Sequence, residues 1–203
     1  MAKTTIPLLF PAPPWAPSRS AYQVLWHGCT DSDKDGIEQT GRIDLGRCAV
    51  NTDFGRGFYL TTLERQARQW AWERFYDSQA KGEKPKHPVI LRFEVPRYAI
   101  PGDRFERGMA DLRSLAFVRG DYDNEDYWSL VQHCRQSVHP HANTHERPRS
   151  GWYDMVSGPV AAFWRQRVAM LDADQFSFHE GGVDLLDDII RRGNPFYRWS
   201  PVV

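Results

Sequence analysis

Five short apolar runs limit what this chain can fold into: YQVLWHG (22–28), GFYLT (57–61), VILRFEV (89–95), WYDMVSG (152–158) and DQFSFHE (174–180). Each has the length of a strand, and most stop at glycine or proline. DQFSFHE alternates polar residues with Phe, the pattern of a half-buried strand whose Phe176 and Phe178 face a core. Between the second and third runs the period changes. Leu63, Ala67, Trp70, Ala71 and Phe75 recur at helical spacing, which predicts an amphipathic helix over 62–80 with one apolar stripe. Thr61-Thr62-Leu63-Glu64 fits the S/T-x-x-E capping box at its start.

The remaining segments are shorter or mixed. Residues 29–52 read as polar and turn-rich, with one helical turn near Gly36–Thr40. Residues 97–122 form a mixed loop region with a short helix. Tyr127, Leu130, Val131 and Cys134 predict a helix behind cap candidates Asp123 and Asn124. HPHANTHERPRSG (139–151) is a loop. Pro159 at the head of PVAAFWRQRVAML suits the first position of a helix. GVDLLDDIIRRG (182–193) is a last helix closed by Gly193. Strands and helices are interspersed without βαβ regularity, so the fold class is α+β. Prolines 7, 11, 13, 14 and 17 make residues 1–20 an extended Pro-rich leader, and 21–203 a single domain.

Composition narrows the functions. The 26 basic and 26 acidic residues cancel, so overall charge does not draw the chain to nucleic acid or a lipid surface. No stretch approaches the length of a membrane span, and the prolines interrupt the run a signal peptide needs. Cys29, Cys48 and Cys134 form neither a disulfide framework nor a CxxC zinc pattern, which fits a reducing cytoplasm. Eight Trp within 13% aromatic residues can fill a core or stack on a flat ligand.

NTDFGRGFYLTT (51–62) brings these themes together. Its glycines permit a tight turn and close approach to the main chain, and a strand follows directly. With LWHG (25–28), RQARQWA (65–71), YDMVSGPVA (153–161) and DQFSFH (174–179), the stretch resembles the ADP-ribosyltransferase superfamily in its histidine–tyrosine–glutamate branch. It is most similar to small bacterial members sharing H-G…D-F-G-x-G-F-Y…Q-A-x-x-W-A. The resemblance spans about residues 22–192. It implies a split β-sandwich of two small packed sheets with flanking helices, and NAD as co-substrate in the cleft between them.

That resemblance also implies roles. His27 would bond a ribose hydroxyl of the adenosine half, and the Gly28 backbone would pair with the nicotinamide carboxamide, where a side chain would obstruct the ring. Tyr59 would lie flat on nicotinamide and Trp70 would add a second ring. Arg56, Gly57 and Phe58 complete the cofactor-binding set, and His27, Tyr59 and Gln175 are the catalytic candidates. The function implied is mono-ADP-ribosylation of a macromolecular target, a protein rather than a nucleic acid, by a bacterial toxin or effector. It would act in the cytoplasm of the producer or of a target cell, with a cognate inhibitor or immunity protein as a further partner. A non-catalytic NAD or ADP-ribose binding module and an NAD glycohydrolase are the alternatives.

The chain departs from the family at one position. Family enzymes carry glutamate where this sequence has Gln175. Strand alternation puts Gln175, Ser177 and His179 on the cleft side. The amide accepts a hydrogen bond but supplies no full charge toward the cation that develops as the nicotinamide–ribose bond breaks. Asp53 is assigned to orienting its loop, Arg42 and Arg47 are candidate phosphate partners, and Arg56 is shared between these two tasks. His133, His139, His141 and His145 lack the spacing of a helical zinc site, so no metal is expected. The mixture of arginine and aromatics in RQARQWAWERF is that of a solvated helix face over a packed one.

Overall fold

The computed structural model describes residues 22–99, 112–117, 125–136 and 153–203. The leader over 1–20 and the loop over 139–151 lie outside them. In chain order the elements are β1 (Tyr22–Thr30), α1 (Asp31–Thr40), β2 (Phe58–Leu60), α2 (Glu64–Ala80) and β3 (Pro88–Pro96). They continue with β4 (Ser114–Ala116), α3 (Glu125–Gln136), β5 (Met155–Phe163), β6 (Val168–Phe178), α4 (Glu180–Arg192) and β7 (Tyr197–Pro201). The protein is α+β. One antiparallel sheet has the order β1-β3-β7; the other runs β2-β6-β5-β4, with β4 and β5 parallel.

The apolar runs explain the packing. Leu25, Leu91 and Phe93 of the first sheet share a core with Phe58, Phe176 and Phe178 of the second, closed by Leu186 and Ile189 of α4. On the other side of the first sheet, α2 packs Ala67 and Ala71 against Ile90 and Val202. Phe54, Tyr127, Val131 and Val156 make a further core between the second sheet and α3. Among the described residues the backbones of the two sheets are joined at Trp26, whose N–H and C=O exchange hydrogen bonds with Thr61 at 2.8 and 2.9 Å.

Several sequence expectations need correcting. The helix expected from Pro159 does not form: residues 159–163 continue β5, a short 3-10 turn follows at Trp164–Gln166, and β6 begins at Val168. Pro159 has no N–H to give the ladder and sits at a register shift, where its loss disturbs little. The capping box at Thr61 is also absent, because buried Asp174 takes the Thr61 hydroxyl (2.6 Å), the Thr62 N–H (2.9 Å) and the Thr62 hydroxyl. Gln66 of α2 adds a reciprocal pair to the Asp174 backbone at 2.7 and 3.2 Å. The start of α2 is therefore tied to β6 rather than capped locally. A capping box occurs instead at Thr30–Asp33, opening α1 as a ten-residue helix where one turn was expected. Strand β7, beside β3, was not anticipated, since YRWSP is mostly exposed and shows no apolar alternation.

The stripe on α2 differs too. Its buried residues are Gln66, Ala67, Ala71 and Ser78, whereas Trp70 and Phe75 are half-buried. Small side chains let the helix lie directly on β1: a Cβ on Gly28 would fall 2.1 Å from the Ala67 carbonyl oxygen and 2.5 Å from the Ala71 nitrogen.

Candidate functional site

A cavity of about 330 Å³ opens beside β1 and β2, within the range of small-molecule sites. His27 and Gly28 of β1, Phe58 and Tyr59 of β2, one face of α1, and residues 42–44 and 47–49 line it. His27 has the parity of Leu25 and Cys29, so it stands on the apolar side of β1, where it stacks on Phe58 with 4.0 Å between ring centroids. Its Nδ1 lies 2.7 Å from the Tyr59 carbonyl oxygen. A carbonyl only accepts, so Nδ1 carries the hydrogen and Nε2 holds a lone pair. Burial lowers the His27 pKa to about 4, which keeps the ring in this neutral form at physiological pH. Nε2 takes no hydrogen bond among the described residues and is an acceptor aligned by the fold.

Gly28 contributes backbone. Trp26 gives its N–H and C=O to Thr61. Alternation along an antiparallel strand turns the same groups of Gly28 toward the β2 side, away from its β3 neighbour Ile90. Gly28 thus presents a peptide edge where the two sheets diverge. The reason for glycine here is corrected by the structure: a side chain would strike the backbone of α2, not a ligand in the cleft.

The stretch 51–57 folds as a loop against the second sheet. The Phe54 N–H donates to Tyr59 Oη at 3.0 Å, Tyr59 Oη contacts Thr52 Oγ1 at 2.8 Å, and Thr52 Oγ1 donates to the Gly55 carbonyl at 2.5 Å. Gly55 has φ 78°, a conformation that favours glycine. The Tyr59 ring lines the cavity on one side and packs toward the Phe54 core on the other. Burial raises its phenol well above the usual range, so it is a neutral hydroxyl. Gly57 is required by contact, because a Cβ there would lie 2.1 Å from Ser177 Oγ.

Charge gathers at the α1 side. Asp33 bonds Arg47 at 3.1 Å and lies 3.8 Å from Arg74, and all three line the cavity with Arg42 and Asp44. Arg42 and Arg47, the expected phosphate partners, are therefore both at the cavity. Arg74 and the α1 wall were not anticipated; the Thr30-x-x-Asp33 capping signal could have revealed that helix. Cys48 also lines the cavity, and burial raises its thiol to about 11, which favours the neutral form.

Gln175, Arg56 and Trp70 do not line this cavity. Gln175 is buried, and its amide nitrogen donates to Asp53 at 2.6 Å and to the Pro159 carbonyl at 2.8 Å. It shares its sheet face with Tyr59, which pairs with Ser177 on the same strand. The carbonyl of Arg56 accepts from His179 Nδ1 at 2.8 Å. Asp53 does orient its loop, but through Arg135, Ala161 and Gln175 rather than Arg56. His133 lies on α3, and the other three histidines of the expected loop lie outside the described residues. Among the described residues no group of three or more His, Cys, Asp or Glu is placed to hold a metal ion, and no helix is long and apolar enough to cross a membrane.

Fold and cavity define a mixed α+β protein of two sheets with a cavity beside β1 and β2. Residues 24–170 match the model of the DUF3990 family, described as proteins of unknown function, and the chain belongs to that family. The matched span contains His27, Asp53, Tyr59 and Trp70 but ends before Gln175. No curated protein and no solved structure matches the chain.

Proposed function

We propose that this protein is an NAD-dependent ADP-ribosyltransferase that modifies a macromolecular acceptor, with the two-sheet arrangement of that superfamily. One observation carries the reading: a histidine fixed as a neutral acceptor and the backbone of the next glycine line the same cavity as Tyr59. These are the groups a bent dinucleotide needs. His27 Nε2 accepts from a ribose hydroxyl, the Gly28 edge pairs with the carboxamide, and Tyr59 offers a ring face to nicotinamide. Arg42, Arg47 and Arg74 at the α1 side suit the pyrophosphate. Holding the dinucleotide bent and the sugar oriented lowers the entropy cost of breaking the nicotinamide–ribose bond. The bacterial toxin or effector role, with a cytoplasmic target and an inhibitor partner, belongs to the same reading.

Gln175 favours a second reading, an NAD or ADP-ribose binding module without catalysis, because no carboxylate stands at its position. Incubating the pure protein with labelled NAD and a cell lysate separates the two. Nicotinamide release with label on macromolecules supports the transferase, and free ADP-ribose alone means hydrolysis with water as acceptor. Tight NAD binding without turnover under any condition removes the enzyme.

A further inference from the structure

Two guanidiniums from separate elements meet on one carboxylate in the α1 wall of the cavity. Asp33 Oδ1 accepts from Arg47, in the 3-10 turn at Leu45–Arg47, at 3.1 Å, and Oδ2 lies 3.8 Å from Nε of Arg74 on α2. Oδ2 also accepts the Thr30 N–H at 3.3 Å and the Thr30 hydroxyl at 2.9 Å, so three residues hold the carboxylate. Gly36 leaves room for this arrangement. A Cβ there would come 3.2 Å from a guanidinium nitrogen of Arg47, which therefore lies along the cavity face of α1. The cluster reaches His27: the Asp33 charge raises the pKa of its ring and the Arg74 charge lowers it, beneath the larger effect of burial. Asp44, the other acid in the cavity wall, is turned to the Gly46 N–H of its own turn at 2.8 Å.

We infer that Asp33 determines which dinucleotide the site takes, admitting NAD and rejecting NADP, its 2′-phosphorylated form. The inference rests on the NAD reading above, in which His27 Nε2 accepts from a hydroxyl of the adenosine ribose. The two hydroxyls of that sugar are vicinal. Whichever of them is bound, a phosphate on the 2′ oxygen stands beside the His27 ring and meets the cluster of Arg47, Asp33 and Arg74. A phosphate monoester carries a charge of about −1.5 to −2 at neutral pH, and arginine forks suit it best. Here both guanidiniums are turned on a carboxylate, which occupies their donors and repels the phosphate as a like charge. The pyrophosphate is common to both dinucleotides, so the effect of the cluster on the 2′ position is separable from its effect on overall affinity. Capping α1 does not explain a charge here, since an amide oxygen at 33 would accept the Thr30 bonds as well.

The test measures dissociation constants for NAD and for NADP on the full chain and reads their ratio. Wild type, Asp33→Asn, Asp33→Glu and the double variant Asp33→Asn, Arg47→Gln are compared, with a melting curve for each. Wild type should bind NADP roughly 100-fold more weakly than NAD, the usual size of one like-charge juxtaposition. Asp33→Asn keeps an oxygen for Thr30 but offers Arg47 a second donor, which releases the guanidinium, and the ratio should fall to about 1 or reverse. Adding Arg47→Gln should take back the larger part of that gain, and Asp33→Glu should keep the preference for NAD. A role confined to capping α1 lowers the melting temperature of Asp33→Asn but leaves the ratio at its wild-type value, and that result overturns the inference. So does a wild type that binds both dinucleotides equally, although the NAD reading then stands. Binding of neither dinucleotide by wild type or by folded Asp33→Asn defeats the NAD reading itself, and the inference with it. Should Asp33→Asn fail to fold, the wild-type ratio is followed against salt. It should narrow as ions screen the repulsion; a ratio that widens or stays fixed contradicts the inference.

Discussion

The two faces of β6 are both buried, yet they are built from opposite materials. Phe176 and Phe178 on one face enter the main core with Leu60 and Leu186. Gln175, Ser177 and His179 on the other face lie under the loop over residues 51–57. The apolar face has no directional demand beyond shape, so burial alone drives it. On the polar face, directional bonds from Gln175 to Asp53 and from His179 to the Arg56 carbonyl, with the Phe54 N–H on Tyr59 Oη, fix where the loop lies. One face supplies stability and the other supplies geometry.

The largest effect should come from the apolar face. Phe176→Ala removes a fully buried ring and should cost about 3–5 kcal/mol in denaturant unfolding. The dissociation constant for NAD, measured on the folded fraction, should change little. A loss of affinity without loss of stability would show that the division between the faces is wrong.

His27 sharpens the comparison, being a polar group on the apolar side. Its folded pKa, about 4, lies below the ordinary 6.5, so between these values the unfolded chain binds the proton and the folded one does not. The stability this neutral ring gives is complete above about pH 6.5 and is lost as pH falls toward 4. The loss amounts to up to about 3 kcal/mol at 1.36 kcal/mol per unit. Asp174 works in the opposite sense, since burial raises its pKa and folding then favours its protonated form. Comparing wild type with His27→Gln at pH 7.5 and 4.5 isolates the histidine: wild type should lose more stability on acidification than the variant. Equal losses would mean that His27 is not held neutral.

Tyr59→Phe probes the polar face with the smallest change. The ring stays, but the Phe54 N–H and Thr52 Oγ1 lose their partner, at a cost of about 1–1.5 kcal/mol. Thermal melting should register it. If melting is unchanged, the hydroxyl does not hold the loop.

The same contrast explains what could be read in advance. Apolar patterning marks β1, β3, the end of β6 and α4 because each buries a continuous face, while on α2 it marked the helix but not the small and polar side chains that it buries. It misled at Pro159, where a helix-opening residue is carried by a strand irregularity, and at Thr61, whose cap was claimed by Asp174 from more than a hundred positions away. His27, Gly28 and Tyr59 were legible as a group, and they line one cavity. Arg74 was not, because its place depends on Asp33 of α1, and the Gln175–Asp53 bond joins residues 122 positions apart. Polar pairing over such distances leaves no local pattern.

The central claim is that the cavity beside Tyr59 is an NAD site, and a calorimetric titration of NAD tests it most directly. Wild type and Tyr59→Ala are titrated, with melting curves showing that the variant is folded. Base–aromatic stacking is worth about 1–3 kcal/mol, so the variant should bind roughly 5- to 150-fold more weakly than wild type. No heat from NAD with wild type, or one dissociation constant shared by wild type and folded Tyr59→Ala, would contradict it.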